Sequence, residues 1–373
     1  MILEDKVLVV FTDEGKKNSG GPGGFISQLI RPFKLCGIEV TPPITTPLRS
    51  RWKRLFGQPE TWLNPANLLG TLRNPSYLPN RSLFKEAGMA SARILWFMHH
   101  AFYELFAPFI QPDQIVIYQP HCPELPWMEV LGVDEEAVQQ RKREEKTVRD
   151  LIARSSVLVL PNEGARSIYE SLIGPDLELR YLQSGAAIPS DVGLIPLDPQ
   201  FTYLLYIGRR LPIKGFDIVR EAFSKAYASR QDLRLIVCGS GEPLLDPGVI
   251  DIGFTSRIHD WIASVDCVVN ANRQSYLDLS VMETLAIGTP IIMSATHGHE
   301  VFQQFNSADL HCLNSTEPSE FARSMTKLCR KDRRQVREDT PNHQLYAQEF
   351  SIPQYHERLE EFANLILSKY TSN

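Results

Sequence analysis

The stretch "YLLYIGRRLPIKGFDIVREAF", Tyr203 to Phe223, decides the fold of this 373-residue chain. Five apolar residues end at Gly208, a short loop with Arg209 and Lys214 follows, and a helical period begins after Gly215. Phe216, Val219, Phe223 and Ala226 then share one helix face. A continuous apolar run reads as a strand buried on both sides, and such strands alternating with amphipathic helices make parallel sheets. The same pattern recurs at Lys6–Thr12, Ile115–Gln119, Val157–Pro161, Leu233–Cys238, Cys267–Asn270 and Pro290–Met293. The class is therefore α/β.

Length and composition narrow the function. A chain this long suits two domains of about 150–200 residues. With 43% hydrophobic and 22% charged residues it reads as globular, and a net charge of −5 argues against general nucleic-acid binding. Six scattered cysteines with no CxxC pair suit a reduced compartment. The start "MILEDKVLVV" reads as a first strand and not a signal peptide, and no run approaches the ~20 apolar residues of a membrane span. Cytoplasmic residence is the expectation. The segment Asp134–Ser155 reads as a solvated helix with Asp134 as its cap. Proline-rich Pro189–Gln200 is the expected joint between domains 1–193 and 194–352, with 353–373 a closing helix that crosses back to the first.

Four segments carry chemistry. Glycines 20, 21, 23 and 24 follow the first strand and offer backbone N–H groups to a phosphate or sugar oxygen, although a tight turn explains them equally. Arg209 and Lys214 are two cations beside a helix N-terminus, a receptor for a diphosphate without a metal. In "LRLIVCGSGEP" a strand ends in a Gly-Ser-Gly turn, and Gly253–Ile258 in the following "DIGFTSRI" could face a nucleobase. His259 reads as lying on a solvated helix face. In "NANRQSYLDLSVMETLAIGTP" (Asn270–Pro290), Glu283 stands near a helix start where ribose hydroxyls could reach it, or where it simply complements the helix dipole.

Taken in order, the Gly-rich loop, "GRR…KG", "GSGE", "DIGF", "SVMETLAIGTPII" and "THGHE" resemble the retaining nucleotide-sugar glycosyltransferases of the GT-B fold. The resemblance is specific over Tyr203–Glu300 and absent over Thr41–Arg81. It implies two Rossmann-like domains facing across a cleft, the donor on the C-terminal one and the acceptor on the N-terminal one. By the resemblance Arg209 and Lys214 would hold the diphosphate, Glu283 the ribose, and Gly20 or Gly21 would line the cleft. His121, in "VIYQPHCPELPWMEV", would contact the transferred sugar. Gly208, Gly239, Gly253, Phe254 and Ile258 complete the expected donor-binding set.

This chain departs from the pattern at one acid. The family's Glu-x7-Glu pair has Ser275 in its first position, with Asp278 where a glycine is usual. The site is expected to be rebuilt around Asp278 or Ser275. The alternative is a non-catalytic GT-B subunit that binds a sugar or a partner protein. No cofactor or metal is expected beyond a nucleoside-diphosphate sugar acting as substrate. The acceptor is expected to be a saccharide or a lipid-linked saccharide of bacterial surface polysaccharide synthesis. Finally, "RSRWKRLFGQPETWL" (Arg49–Leu63) interleaves cations with aromatic residues, which suits docking to the inner face of an anionic membrane or a plain solvated loop.

Overall fold

The computed structural model describes residues 7–10, 22–41, 77–328 and 338–370. Contacts divide the chain into two compact units. The first comprises Met1–Leu160, Ser171–Arg180 and Leu359–Asn373; the second comprises Pro161–Glu170 and Tyr181–Arg358.

Among the described residues the first unit is built on six strands: β1 (Val7–Val10), β2 (Glu39–Val40), β3 (Ile94–Phe97), β4 (Ile115–Tyr118), β5 (Val157–Leu160) and β6 (Glu178–Tyr181). They lie in the order β2-β1-β3-β4-β5-β6, and the pairings from β2 through β5 are parallel. Trp96 of β3 anchors the helices to this sheet. Its ring meets Phe33 of the helix Pro22–Leu35 edge-on at 5.4 Å and Phe362 of the closing helix Ile352–Tyr370 at 5.2 Å. Lys369 and the Tyr370 hydroxyl both reach Glu178 of β6, at 2.6 and 2.8 Å. The charged helix spans Glu135–Arg154, and the Asp134 carboxylate accepts from the Ala137 N–H at 2.8 Å. Its buried stripe is Thr147, Val148, Leu151 and Ile152, so an otherwise solvated helix still has a seam onto the sheet.

The second unit carries β7 (Thr202–Ile207), β8 (Leu233–Cys238), β9 (Val249–Gly253), β10 (Cys267–Asn270), β11 (Ile291–Ser294) and β12 (Leu310–Leu313). All are parallel, in the order β12-β11-β10-β7-β8-β9. Counted within the unit, that is the doubly wound order 3-2-1-4-5-6, whose reversal falls between β7 and β10. Alternate residues of each strand feed two separate cores. Leu205, Ile236, Val268 and Ile291 pack with Ile262, Val281 and Phe350, whereas Leu204, Leu235, Val269 and Ile292 pack with Val219, Phe223 and Phe321. Each such side chain contributes roughly 1.5–3 kcal/mol on burial. The face Phe216, Val219, Phe223 and Ala226 read from the sequence is the face buried here. Residues 189–200 hold no helix or strand and lie in the second unit. They are strapped to the helix Ile258–Ser264 by Gly193 N–H to Asp260 and Ile195 N–H to Ser264, both at 2.7 Å.

Candidate functional site

Ligands of a doubly wound sheet bind outside the carboxyl ends of the strands at the reversal point. In the second unit those ends belong to β7 and β10. Three neighbouring strands finish on glycine there. Gly208 N–H donates to Cys238 O at 3.0 Å, and Gly239 N–H to Gly253 O at 2.9 Å. At Gly239, φ is 144° and a Cβ would lie 1.9 Å from Gly208 O, so only glycine lets these ends close up.

The paired arginines after Gly208 divide their roles. Arg210 turns inward, pairs with Asp251 at 2.5 Å, donates to Glu242 O and lies over the Phe216 ring at 5.6 Å. It builds the turn. Arg209 is exposed, with its carbonyl fixed by the Tyr206 hydroxyl at 2.9 Å. Pro212–Lys214 then make one 3-10 turn, closed by Gly215 at φ 61°, where a Cβ would meet Ala271 O at 1.9 Å. The helix Phe216–Ser229 starts immediately after. Arg273, which sequence reasoning passed over, staples this loop to the end of β10. Its N–H donates to Ile213 O at 2.9 Å, and its guanidinium bonds Pro212 O and Asp217 at 2.7 Å.

Lys214 and Asp278 meet directly, Nζ to Oδ2 at 2.7 Å, with only 17% and 14% of their side chains exposed. Asn272 donates to the same oxygen at 2.7 Å. Asp278 occupies the N-cap position of the helix Leu279–Ile287, but its carboxylate accepts nothing from the helix amides. Its carboxylate serves Lys214 and not the helix dipole. Burial works against its charged form, but Lys214, His299 and the bonds from Lys214 and Asn272 outweigh it and hold the carboxyl well below the usual carboxylate range.

His299 is fully buried, and its Nε2 accepts from the Asp278 N–H at 3.1 Å. The ring proton therefore sits on Nδ1. Burial, against the pull of Asp278, pushes the His299 pKa down to about 4. A neutral His299 is thus a condition of the native loop. Because its folded pKa lies below the ordinary 6.5, the unfolded chain binds the extra proton, and stability falls as pH drops from about 6.5 towards 4. Roughly 3 kcal/mol is at stake from this residue. Burial, followed by the neighbouring His99, depresses His100 and His121 to about 3, which adds in the same direction. Urea midpoints measured between pH 7.5 and 4.5 should decline steadily; a flat profile would contradict the buried neutral rings.

Glu283 lies on the helix Leu279–Ile287, and its Oε1 is 3.1 Å from His259 Nε2. His259 was expected on a solvated face; instead its ring turns in to Glu283, because the helix Ile258–Ser264 packs beside the helix that carries the acid. Ser275 is 0% exposed and its hydroxyl sits 3.0 Å from Thr296 Oγ1. Thr296 and Ser294 both donate to Asn272 O, at 3.1 and 2.6 Å, so Ser275 belongs to the scaffold under the loop. Phe254 stands 75% exposed after Gly253, with Ile258 half-buried nearby in sequence.

In the first unit, β4 is followed by His121, and β3 by the stacked pair His99 and His100, centroids 4.4 Å apart. A cavity of about 440 Å³ opens there, lined by His99, His100, Cys122, Arg143 and Glu144 among others. A second cavity of about 690 Å³, beside Glu163, Arg166, Glu170, Glu300 and Gln304, contains none of the expected site residues. Gly20, Gly21 and Arg49–Leu63 lie outside the described residues. Among the described residues no helix is long and apolar enough to cross a membrane, and no group of three or more His, Cys, Asp or Glu could hold a metal.

The family model for group 1 glycosyl transferases matches residues 202–331, which contain the reversal point and every residue of the second unit expected at the site. That segment is thus similar to the catalytic-domain sequences of group 1 glycosyl transferases. The D-inositol 3-phosphate glycosyltransferase of Segniliparus rotundus is 25% identical over 146 residues, 34% of this chain and 32% of that protein. The match thus spans about a third of that relative's length. Whole-chain likeness comes from solved structures. Sucrose-phosphate synthase from Thermosynechococcus elongatus aligns over 98% of this chain and 100% of its own, with TM-score 0.64 and 13% identity. Anabaena HepE in complex with UDP and glucose aligns over 97% and 100%, with TM-score 0.62 and 13% identity. The α,α-trehalose 6-phosphate synthase of Burkholderia multivorans aligns over 98% and 99%, with TM-score 0.59 and 8% identity. The matched segment therefore sits in a chain of GT-B fold, as its sequence led us to expect.

Proposed function

We propose that the chain is a retaining, metal-independent glycosyltransferase that moves a hexose from a nucleoside-diphosphate sugar to an acceptor hydroxyl. What supports this reading is that Arg209 and Lys214 follow β7, and that Lys214 is joined at 2.7 Å to Asp278 at the start of the helix after β10, which also carries Glu283, all within the segment the family model matches. Arg209, Lys214 and the N-terminus of the helix Phe216–Ser229 supply positive potential for a diphosphate. Glu283, steadied by His259, is an acceptor for ribose hydroxyls, and exposed Phe254 offers an apolar ring to a base. In the step itself the bond from the sugar's anomeric carbon to the phosphate oxygen breaks, and its electron pair leaves with the diphosphate. The acceptor oxygen bonds to the same face of that carbon and its proton passes to the departing phosphate. The clamp stabilises the charge that develops on the leaving group.

The fold neighbours include HepE with bound UDP and glucose, which supports a nucleotide-sugar donor here. A saccharide or lipid-linked saccharide acceptor, held by the first unit near His121 on the cytoplasmic side of a bacterial membrane, completes the proposal. The test is incubation with UDP-, GDP- and ADP-hexoses, followed by NMR of the product anomer. An α-donor should give an α-product; inversion would reject retention. One observation favours a second reading, a subunit that binds without turnover: the clamp lysine already holds a carboxylate. Donor binding without transfer or hydrolysis would select it.

A ribose contact made alike in ground and transition states acts on KM. Glu283→Gln should therefore raise the donor KM about tenfold while kcat changes less than threefold. Steady-state kinetics check it, and a loss confined to kcat would move Glu283 to the reacting centre.

A further inference from the structure

Resting on that reading, we propose that Asp278 is a built-in counter-ion of the donor site. It neutralises Lys214 while no nucleotide is bound and must release the lysine when a diphosphate enters. Binding is then an exchange of one anion for another and not a simple addition. The geometry supports this in three ways. The Lys214–Asp278 contact is short, at 2.7 Å, and both side chains are more than four-fifths covered, so solvent screens the pair weakly. The Asp278 carboxylate makes no capping bond at its own helix, although its position would allow one. Its backbone is pinned by the fully buried His299 and its outer oxygen by Asn272, so the carboxylate is aimed at Lys214 by parts of the fold that do not involve the lysine.

The electrostatic consequence follows from charge alone. Lys214 by itself would offer a full positive charge to a diphosphate. Paired with Asp278 it offers almost none until the pair opens. The N-terminus of the helix Phe216–Ser229 remains to meet the incoming anion first. A carboxylate released from Lys214 can then accept a charge-assisted bond from a donor hydroxyl, which a bare nucleoside diphosphate lacks. The chain would therefore hold the spent nucleotide less tightly than a site with an uncompensated lysine, and product would leave more readily.

The experiment is calorimetric titration of UDP, GDP, ADP and inorganic pyrophosphate into wild type, Asp278→Asn, Asp278→Ser, Lys214→Ala and the Lys214→Ala/Asp278→Asn double variant. Both Asp278 replacements keep the backbone N–H that His299 accepts, and Asn also keeps an acceptor for Asn272. Asp278→Asn and Asp278→Ser should bind the preferred nucleoside diphosphate, and pyrophosphate, about tenfold more tightly than wild type, with a steeper salt dependence. In the Lys214→Ala background the same change should produce a much smaller gain. If wild type binds a nucleoside diphosphate and neither Asp278 variant binds it more tightly, the counter-ion is rejected and the donor site stands. A full tenfold gain persisting without Lys214 rejects the exchange as well. If no variant binds any of the four ligands, the donor-site reading itself fails and takes the counter-ion with it.

Discussion

Arg209→Ala and Lys214→Ala should each reduce sugar transfer by about 100-fold or more, the usual loss when a preorganised charge is removed from a developing anion. The two should differ in stability. Arg209 is exposed at a strand end, and its truncation should leave the unfolding free energy within about 0.5 kcal/mol of wild type. Lys214→Ala strips the partner from a largely covered carboxylate and should cost about 1–3 kcal/mol. Single-turnover rates and urea denaturation on both variants decide the matter. Unchanged turnover in both would remove the clamp from the account.

Gly298→Ala should be among the most destabilising single changes in the second unit. An added Cβ would stand 1.5 Å from Tyr276 O, and the Gly298 N–H holds Ser275 O at 3.1 Å in the same contact. The adjacent His297 already adopts φ 48°, a left-handed conformation uncommon for a residue with a side chain. Neither backbone can yield without moving the loop that carries Asp278. We expect a loss of roughly 3 kcal/mol or more. Gly174→Ala is the control, since a Cβ there meets nothing within 4 Å. Equal unfolding midpoints for the two variants would contradict the packing described around Tyr276.

The same loop shows how much was legible beforehand. Seven strands announced themselves as apolar runs and are present, from Val7–Val10 to Ile291–Ser294. Those missed are of other kinds. Glu39–Val40, Val249–Gly253, Glu178–Tyr181 and Leu310–Leu313 are partly exposed edge strands, where short length or polar residues dilute the apolar signal. Ile94–Phe97 is wholly buried but only four residues long, and its sequence "ILWF" suits a helix as well as a strand. Asp134 as a cap was legible because capping is local chemistry. The positions of Arg209, Lys214 and Glu283 were legible because strand-to-helix crossings leave punctuation in the sequence.

Partnerships across long separations were not legible. Lys214 and Asp278 stand 64 positions apart, and His259 and Glu283 stand 24 apart. No periodicity connects such pairs; only the folded reversal of strand order does. For the same reason the sequence could not show that Arg210 builds its loop while Arg209 is exposed, or that the Ser275 hydroxyl is enclosed against Thr296.

On the proposed function, the carboxyl ends of β7 and β10 receive a nucleoside-diphosphate sugar. Calorimetric titration of UDP-, GDP- and ADP-hexoses into wild type and an Arg209→Ala/Lys214→Ala double variant tests it most directly. One donor should bind wild type at micromolar to millimolar concentration and show at least about 100-fold weaker binding to the double variant. Equal binding to both proteins, or no binding of any donor to wild type, would contradict it.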